Sequence, residues 1–316
     1  MVEKRLGVAI AGPDAGTILA RIDKAESLGV SAVWLTTGGA GLDGLTILGA
    51  AAAQTESILL GTSIIPTYPR HPVAVAQQVQ VIAQLAPGRF RLGVGPSHRP
   101  TIDGMFGMDF GAPLTNLREY LQVIKPLLQD GSVEFEGQQY RARAALTSPV
   151  DVPVMASALR SASFELCGAE ADGAISWVCP PQYLRDVALP AIAAGAKRAG
   201  RPAPPLVAHV PVCVHEDPDE VREAVRAQAA MYPRLRLYQR MFAAAGYPEA
   251  LDGAWSDAMI EGVVASGDES SVGGRVRGLF EMGATEVLAS LILAGPDQEA
   301  SLDRALRLLG KVRPEE

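Results

Sequence analysis

Short apolar segments of strand type alternate with amphipathic segments of helix type along almost the whole chain. The helical pattern is clear in residues 16–28, where Ile18, Ile22 and Ala25 recur at helical spacing and Gly29 follows as a C-terminal cap. Such alternation is typical of a parallel sheet covered by helices. The predicted strands are residues 6–11, 32–35, 58–65, 90–94, 152–156, 173–178, 206–214 and 286–293. The predicted helices are residues 16–28, 72–85, 114–128, 161–168, 181–198, 271–282 and 297–309.

Two segments interrupt this alternation. Residues 131–142 (GSVEFEGQQYRA) alternate like a small hairpin around Gly137. Residues 217–265 have a helical pattern that is longer than one connection needs. No Pro/Gly/Ser-rich linker or charge block divides the chain. The sequence therefore predicts a single domain over 1–316 of the α/β class, a (β/α)8 TIM barrel with a small insertion before strand 5 and a helical insertion between strands 7 and 8.

A doubly wound parallel sheet is the alternative fold. Its signal would be the glycine-rich run that ends in GVGPSH, but this run lacks the third glycine of a dinucleotide-binding motif. The run also follows the fourth predicted strand, whereas that motif belongs in the first strand–helix turn. The barrel is therefore the favoured interpretation.

Composition narrows the class of protein. The chain has 316 residues, of which 48% are hydrophobic and 20% charged, enough for one large core. Its net charge of −7 provides no basic surface for nucleic acid. The three cysteines form no CxxC pair, so neither a disulfide framework nor a metal site is expected. The apolar runs are too short for a secretory signal or a membrane span, and we expect a cytoplasmic protein that does not bind membranes.

Candidate chemistry lies at the ends of the predicted strands. The fourth strand runs into Gly95, Pro96, Ser97 and His98, a tight loop whose glycine lets the backbone approach a ligand. His98 lies just beyond the strand, where an acid or base would face a bound molecule. Ligands of such barrels bind at the C-terminal ends of the strands. This loop is therefore a candidate edge of an active site.

Three neighbouring strand ends also carry small and hydroxyl-bearing residues. Thr37 follows strand two, Ser63 and Ile64 end strand three, and Ala156, Ser157 and Ala158 lead from strand five into a helix. Free N–H groups at a helix start bind phosphate, and small residues allow the backbone to approach a flat ring. Each residue alone is also an ordinary choice for a turn or cap. Their occurrence at strands two to five favours one site for a planar cofactor with a phosphate tail.

The chain resembles the bacterial luciferase-like flavin oxidoreductase superfamily, and especially the branch that uses the deazaflavin coenzyme F420. Five segments carry this resemblance in the same order, and together they cover nearly the whole chain. They are AESLGVSAVWLT, LGTSIIPTYPRHPVAVAQQ, GRFRLGVGPSH, PVMASALRSASFELCGAEADGAISW and VVASGDESSVGGRVRGLFEMGATEVL.

The resemblance implies roles for individual residues. Ser63–Ile64 falls where members commonly have a non-proline cis peptide behind the central cofactor ring. Gly95 to His98 align with the loop along the ring and tail, and Ala156 to Ala158 align with the phosphate-binding turn. Many relatives have an acidic residue or histidine after strand two, where this chain has Thr37. Sugar-phosphate-oxidising members have a glutamate at the place of His98, which argues against that substrate here.

The working hypothesis is hydride transfer between F420 and a small organic substrate, with His98 moving the accompanying proton. Its unperturbed pKa lies near the operating pH, which suits that role. Reduction of an activated C=C, C=N or C=O bond is the expected direction. The alternatives are an FMN-dependent luciferase-like monooxygenase and a non-catalytic protein that binds a flavin or deazaflavin. The resemblance also implies a homodimer.

Other polar residues are better explained by structure. His71 precedes Pro72 and is expected to cap a helix. His209 and His215 are six residues apart on one strand, about 20 Å, which is too far for a shared metal ion. Cys167 and Cys213 lie in apolar runs and are expected in the core. Glu165, Glu170 and Asp172 are expected to be solvated or capping, and the sequence does not decide whether Trp34, Trp177, Tyr68 and Met105 line the pocket.

Overall fold

The computed structural model describes residues 4–312. The barrel strands within this range are β1 (Arg5–Ala9), β2 (Ala32–Leu35), β3 (Leu59–Thr62), β5 (Phe90–Gly95), β8 (Val154–Ser157), β9 (Gly173–Trp177), β10 (Leu206–Val214) and β12 (Glu286–Leu291). Shorter strands are β4 (Ile65–Pro66), β6 (Ser132–Glu136), β7 (Arg141–Ala145) and β11 (Ala265–Gly267). The helices are α1 (Ala15–Ser27), α2 (Gly44–Gln54), α3 (Pro72–Leu85), α4 (Arg99–Gly104), α5 (Pro113–Gln129), α6 (Ser161–Glu170), α7 (Pro181–Tyr183), α8 (Leu189–Arg198), α9 (Pro218–Gln228), α10 (Arg236–Ala244), α11 (Asp257–Val263), α12 (Glu269–Met282) and α13 (Gln298–Lys311).

The barrel strands form a closed parallel sheet. Their order is β1, β2, β3, β5, β8, β9, β10 and β12, and β12 pairs with β1 to complete the ring. The predicted (β/α)8 barrel is therefore confirmed. Both predicted insertions are present: β6 and β7 form an antiparallel hairpin before β8, and α9 to α11 lie between β10 and β12. Residues 1–3 and 313–316 of the predicted 1–316 domain lie outside the described residues.

Several predicted boundaries were wrong. The third strand, predicted as residues 58–65, is split into β3 and β4 by a cis peptide bond between Ser63 and Ile64. The helix predicted over 181–198 contains a π-helical segment at Leu184–Ala188. Helices α2 and α4 were not predicted, and the end of the helical segment predicted over 217–265 is the first residue of β11. In every case the order of the barrel strands is unaffected.

One large side chain fills the interior of the barrel. The Trp34 side chain is fully buried, and its Nε1 donates to Glu286 Oε1 at 2.7 Å. Arg91 reaches across from β5, forms an ion pair with Glu286 and stacks its guanidinium 4.4 Å from the centre of the Trp34 ring. The residue beside Trp34 on β3 is Gly61, where a Cβ would lie only 2.5 Å from the indole ring. The glycine is therefore required by the space that the tryptophan takes.

The other side chains packed around Trp34 inside the barrel are apolar. Met155, Ile175, Val207 and Leu288, from β8, β9, β10 and β12, pack in the same interior cluster as Trp34. Together these side chains fill the middle of the barrel, and ligands of such barrels bind at the C-terminal ends of the strands. The helices pack outside, with Gly168 of α6 and Gly195 of α8 allowing a close approach of these two helices.

We expect Gly61→Ala to lower the free energy of unfolding by about 1–3 kcal/mol, because the added methyl group overlaps the Trp34 ring and the packed interior cannot move aside. Gly49→Ala in α2 is the matched control, since a Cβ there meets nothing within 4 Å. The control should be stabilised by about 0.5–1 kcal/mol through helix propensity. Urea denaturation of both variants measures the difference, and equal stability would contradict the packing account.

Candidate active site

A cavity of about 990 Å³ opens at the C-terminal ends of the barrel strands. The prediction that the ends of strands two to five form one cavity is confirmed. Of the residues predicted to bind a cofactor, eight line the cavity: Thr37, Ser63, Ile64, Pro96, Ser97, His98, Ser157 and Ala158. Gly95 and Ala156 lie directly behind the wall, both buried. Their cofactor-binding roles stay predictions.

The wall at β3 is formed by the Ser63–Ile64 cis peptide, as the resemblance implied. The hydroxyl group of Thr36 donates to the Ser63 carbonyl at 2.7 Å, and the backbone N–H of Thr37 donates to the Ile64 carbonyl at 3.2 Å. Thr37 Oγ1 also accepts from the Gly44 N–H at the start of α2. These bonds hold the loops after β2 and β3 together and fix the bulge that faces the cavity.

The neighbouring cavity wall, at β5 and β8, depends on a close contact between Gly95 and Ser157. A Cβ on Gly95 would lie 2.1 Å from Ser157 Oγ, so only glycine leaves the Ser157 hydroxyl in place. Ser97 has a φ of 63°, in the left-handed region that side chains rarely adopt. This turn places His98 at the cavity and starts helix α4, without a cap bond from the His98 side chain.

His98 is enclosed by two tyrosines from the helical insertion. Its ring centre lies 5.7 Å from that of Tyr238 and 6.5 Å from that of Tyr232, both in edge-on geometry. Burial lowers the pKa of His98 below its usual value. The imidazole is therefore neutral at pH 7, with a ring nitrogen able to accept a proton.

The start of α6 offers backbone N–H groups to the cavity. Ser157, Ala158, Ser161 and Ser163 line this region together with Arg160. Ser163 Oγ accepts from the N–H groups of Leu159 and Arg160, both at 3.1 Å, which fixes the turn before the ten-residue helix. A helix start with serine hydroxyls and an arginine is suited to a phosphate group.

The wall opposite β3 was not predicted as a functional surface, although the sequence left open whether Trp177 lines the pocket. It consists of Trp177 at the end of β9, His209 on β10, and Tyr232 and Tyr238 of the insertion. His209 is only 6% exposed, and burial lowers its pKa to about 3. Its interior position could have been inferred, because Val207, two residues earlier on the strand, also faces the interior. The sequence does not reveal the register of β9 and β10, which places His209 beside Trp177.

Several residues that the sequence analysis did not assign to the site have structural roles. His71 caps α3, where its Nδ1 accepts from the Val73 N–H, as predicted. His215 bonds Glu220 at 2.7 Å and does not line the cavity. Cys167 and Cys213 are buried as predicted, and burial raises the pKa of the Cys167 thiol to about 12. Trp34 is a core residue, whereas Trp177 lines the cavity.

The acidic residues near α6 differ from their prediction, because ion pairs hold them. Glu165 pairs with Arg198, and Glu170 pairs with Arg118. Asp172 pairs with Lys125 at 2.6 Å and also accepts from the Val154 N–H at 2.9 Å. Glu165 and Arg160 are the fully charged side chains among the described residues that line the cavity, and both lie on the α6 side. The rest of the lining is neutral.

A closed (β/α)8 barrel with a large cavity at the C-terminal strand ends has the architecture of an enzyme. The luciferase-like monooxygenase family model matches residues 4–299, and the chain belongs to this family. The family inferred from the five sequence segments is therefore confirmed.

Known proteins similar to this chain include F420-dependent enzymes. The 5,10-methylenetetrahydromethanopterin reductase of Methanolobus tindarius is 27% identical over 308 residues, which cover 91% of this chain and 92% of that protein. The F420-dependent glucose-6-phosphate dehydrogenase of Beutenbergia cavernae is 35% identical over 210 residues, covering 63% of this chain and 62% of that protein. The solved structure of the coenzyme F420-dependent tetrahydromethanopterin reductase of Methanopyrus kandleri has a TM-score of 0.78 and 25% identity, with 98% of both chains covered.

Within residues 4–312, the helices are all too short or too polar to span a membrane.

We expect His209→Leu to reduce the acid sensitivity of the fold. An unfolded histidine titrates near 6.5, whereas burial lowers the pKa of folded His209 to about 3. The unfolded chain therefore binds more protons below pH 6.5, and stability is lost as the pH falls. Between pH 7 and pH 5 the variant should lose about 2 kcal/mol less than the wild type in urea denaturation. An equal loss in both proteins would show that His209 is not held neutral.

Proposed function

We propose that this protein is a coenzyme F420-dependent oxidoreductase that transfers a hydride between the deazaflavin and a small, uncharged organic substrate. The observation that carries the proposal is the single cavity at the strand ends. It joins the Ser63–Ile64 bulge, the loop that ends at His98 and the start of α6. A relative that covers 63% of this chain and a solved structure that covers 98% of it are both named as F420-dependent enzymes.

The residues present fit a flat cofactor with an anionic tail. The bulge at Ser63–Ile64 would support the ring, and Pro96 and Ser97 would lie along it. Ser157, Ala158 and the N–H groups of α6 would hold the phosphate, with Arg160 at the same end of the cavity. The cavity volume is at the upper end of the range for small-molecule sites, which leaves room for a substrate beside the cofactor.

Coenzyme F420 would supply or accept the hydride at its ring carbon. The protein would align the substrate with the ring, exclude water and move one proton. His98 is the candidate for the proton, because it lines the cavity and burial lowers its pKa, so that it is neutral at pH 7. Neutral His98 would accept the proton when the substrate is oxidised. In the reducing direction the imidazole would first take up a proton from solvent, and a C=C, C=N or C=O bond gains the hydride on one atom and that proton on the other.

The substrate of this reaction is expected to carry no net charge. Tyr232 and Tyr238 pack against His98, and the two charged residues of the lining, Arg160 and Glu165, lie at the phosphate end. A charged group would lose its hydration at the aromatic end without gaining a partner of opposite charge. The homodimer and the cytoplasmic location inferred from the sequence remain predictions.

Use of FMN with dioxygen is the second candidate, which the name of the family favours. Titration of the purified protein with F420 and with FMN separates the two, with F420 fluorescence quenching as the measurement for the former. We expect the tighter binding for F420. Tighter binding of FMN, together with oxygen consumption on reduction, would favour the monooxygenase.

Gly95→Ala should weaken F420 binding about tenfold, because its Cβ would push Ser157 Oγ away from the phosphate turn. The matched control is Gly104→Ala at the end of α4, where a Cβ meets nothing within 4 Å. The control should bind F420 as the wild type does. Unchanged affinity in Gly95→Ala would remove Ser157 from the proposed phosphate site.

His98→Ala should lower turnover by about 10²–10⁴-fold while leaving the affinity for F420 within about twofold. The loss should appear in kcat, because the substitution removes the proton donor or acceptor and leaves the phosphate site intact. Single-turnover bleaching or recovery of F420 absorbance measures the rate. Full activity in the variant would assign the proton transfer to another group.

A further inference from the structure

Large apolar side chains are exposed around the entrance to the cavity. Six of the nine strongly exposed ones among the described residues lie in three segments, residues 36–42, 99–111 and 231–240, which we call the entrance segments. The six are Leu42, Met105, Phe106, Met108, Met231 and Leu237, and they are between 39% and 47% exposed. Exposed apolar side chains that cluster on one face mark an interaction site, whereas singly scattered ones need no explanation.

The entrance segments lie on one face of the molecule. They follow β2, β5 and β10, whose C-terminal ends all lie on the same side of the parallel barrel. Each segment also contributes to the cavity wall, through Gly38 and Gly39, through Thr101 and Phe110, and through Met231, Tyr232, Leu237 and Tyr238. The second and third segments meet at His98, which directly precedes α4 and packs against Tyr232 and Tyr238. The exposed apolar side chains therefore flank the opening by which a substrate reaches the cavity.

The same face carries arginines that no carboxylate neutralises. Arg234, Arg236 and Arg240 are exposed, and none of their guanidinium groups forms an ion pair with another described residue. The chain has no acidic residue between Glu223 and Glu249, although its net charge is −7. A cationic surface on a protein that is acidic as a whole indicates an anionic partner.

Two carboxylates lie in the entrance segments, and both belong to residues 99–111. Asp103 forms an ion pair with Arg99 and accepts from the Phe110 N–H at 2.8 Å. Asp109 is the remaining carboxylate, against the three arginines of residues 231–240. The entrance face is therefore both cationic and apolar.

An anionic lipid surface fits this combination. Apolar side chains on loops can insert among lipid chains, while arginines beside them bind the anionic headgroups. A protein partner would need an apolar surface shaped to three separate segments, whereas a lipid surface adapts to their arrangement. The largely neutral cavity behind the entrance favours an uncharged substrate, and an uncharged apolar molecule collects in lipid because water excludes it.

We propose that the entrance face docks on an anionic lipid surface, from which an uncharged, apolar substrate passes directly into the cavity. The source of the substrate rests on the proposed function, whereas the docking itself does not. The expectation from the sequence that the protein does not bind membranes considered continuous apolar runs. Such runs detect segments that span a membrane, and a surface assembled from three separate segments leaves none.

The test measures flotation of the full-length protein, without cofactor, on vesicles of two compositions. One is phosphatidylcholine alone, and the other contains about one third phosphatidylglycerol. The wild type should bind the anionic vesicles about 50-fold more tightly, since each arginine near an anionic surface contributes about fivefold and Asp109 offsets part of the total. High salt should remove most of this difference, because it screens exposed charges.

Matched variants separate the two parts of the surface. Arg236→Gln should weaken binding to the anionic vesicles about fivefold. Its control is Arg307→Gln, which removes an exposed arginine from α13, outside the entrance segments. Phe106→Ser should weaken binding about tenfold by removing an inserted ring. Its control is Leu85→Ser, a similarly exposed apolar residue at the end of α3, and both controls should bind as the wild type does.

Three results would overturn the proposal. The first is equal or absent binding of the wild type to the two kinds of vesicle. The second is a loss of F420 affinity in Arg236→Gln as large as its loss of lipid affinity, which would assign the arginine to the anionic tail of the cofactor. The third is a dimer that Phe106→Ser converts to a monomer in light scattering, which would assign the apolar side chains to a second copy of the chain.

The outcomes for docking and for the proposed function are distinguishable, because flotation is measured without F420. A protein that binds F420 but not the anionic vesicles would refute the docking proposal alone. A protein that binds the anionic vesicles but not F420 would support docking and refute the proposed function.

Discussion

The fold depends on the packing of Trp34 inside the barrel. The indole is held by a hydrogen bond to Glu286 and by the Arg91 guanidinium stacked on its ring. Glu286 and Arg91 come from strands on different sides of the ring, so their ion pair links β12 to β5 across the interior. Unpaired, either charge would be costly at this depth, and each is stable because the other is present. The cluster needs Gly61 beside it and fills the middle of the barrel, and the cavity opens at the C-terminal strand ends.

The barrel could be predicted because its signal is local. Most strands are short apolar runs followed by an amphipathic helix, and the glycine-rich loop after β5 marks a strand end. Helix α2 was missed because its sequence, GLTILGAAAAQ, is apolar on nearly all sides and has no helical periodicity. The break in the third strand was implied only by the family resemblance, since nothing in the letters GTSIIP indicates a cis bond. The local sequence pattern therefore predicted which strands and helices exist better than it predicted where they begin and end.

The candidate site was predictable on one side only. Thr37, Ser63, Ser97, His98 and Ser157 lie at or just beyond the ends of strands that the sequence identifies, and all of them line one cavity. The opposite wall depends on long-range placement. His209 meets Trp177 through the register of β9 and β10, and Tyr232 and Tyr238 reach His98 from a segment more than a hundred residues later in the chain. Neither of these long-range contacts produces a local pattern in the sequence.

The origin of these tyrosines has a consequence for how such a protein could diversify. Tyr232 lies in a short 3-10 turn and Tyr238 in α10, and neither element contributes a strand to the barrel ring. Contacts such as the hydrogen bond from the Gln228 side-chain amide to the Leu293 carbonyl hold the helical insertion against the C-terminal ends of the barrel strands. Replacing the helical insertion would reshape the side of the cavity proposed to receive the substrate. The walls at β3, β5 and β8, proposed to bind the cofactor, would stay unchanged. A lineage could thereby exchange one reactant for another and keep the same redox partner.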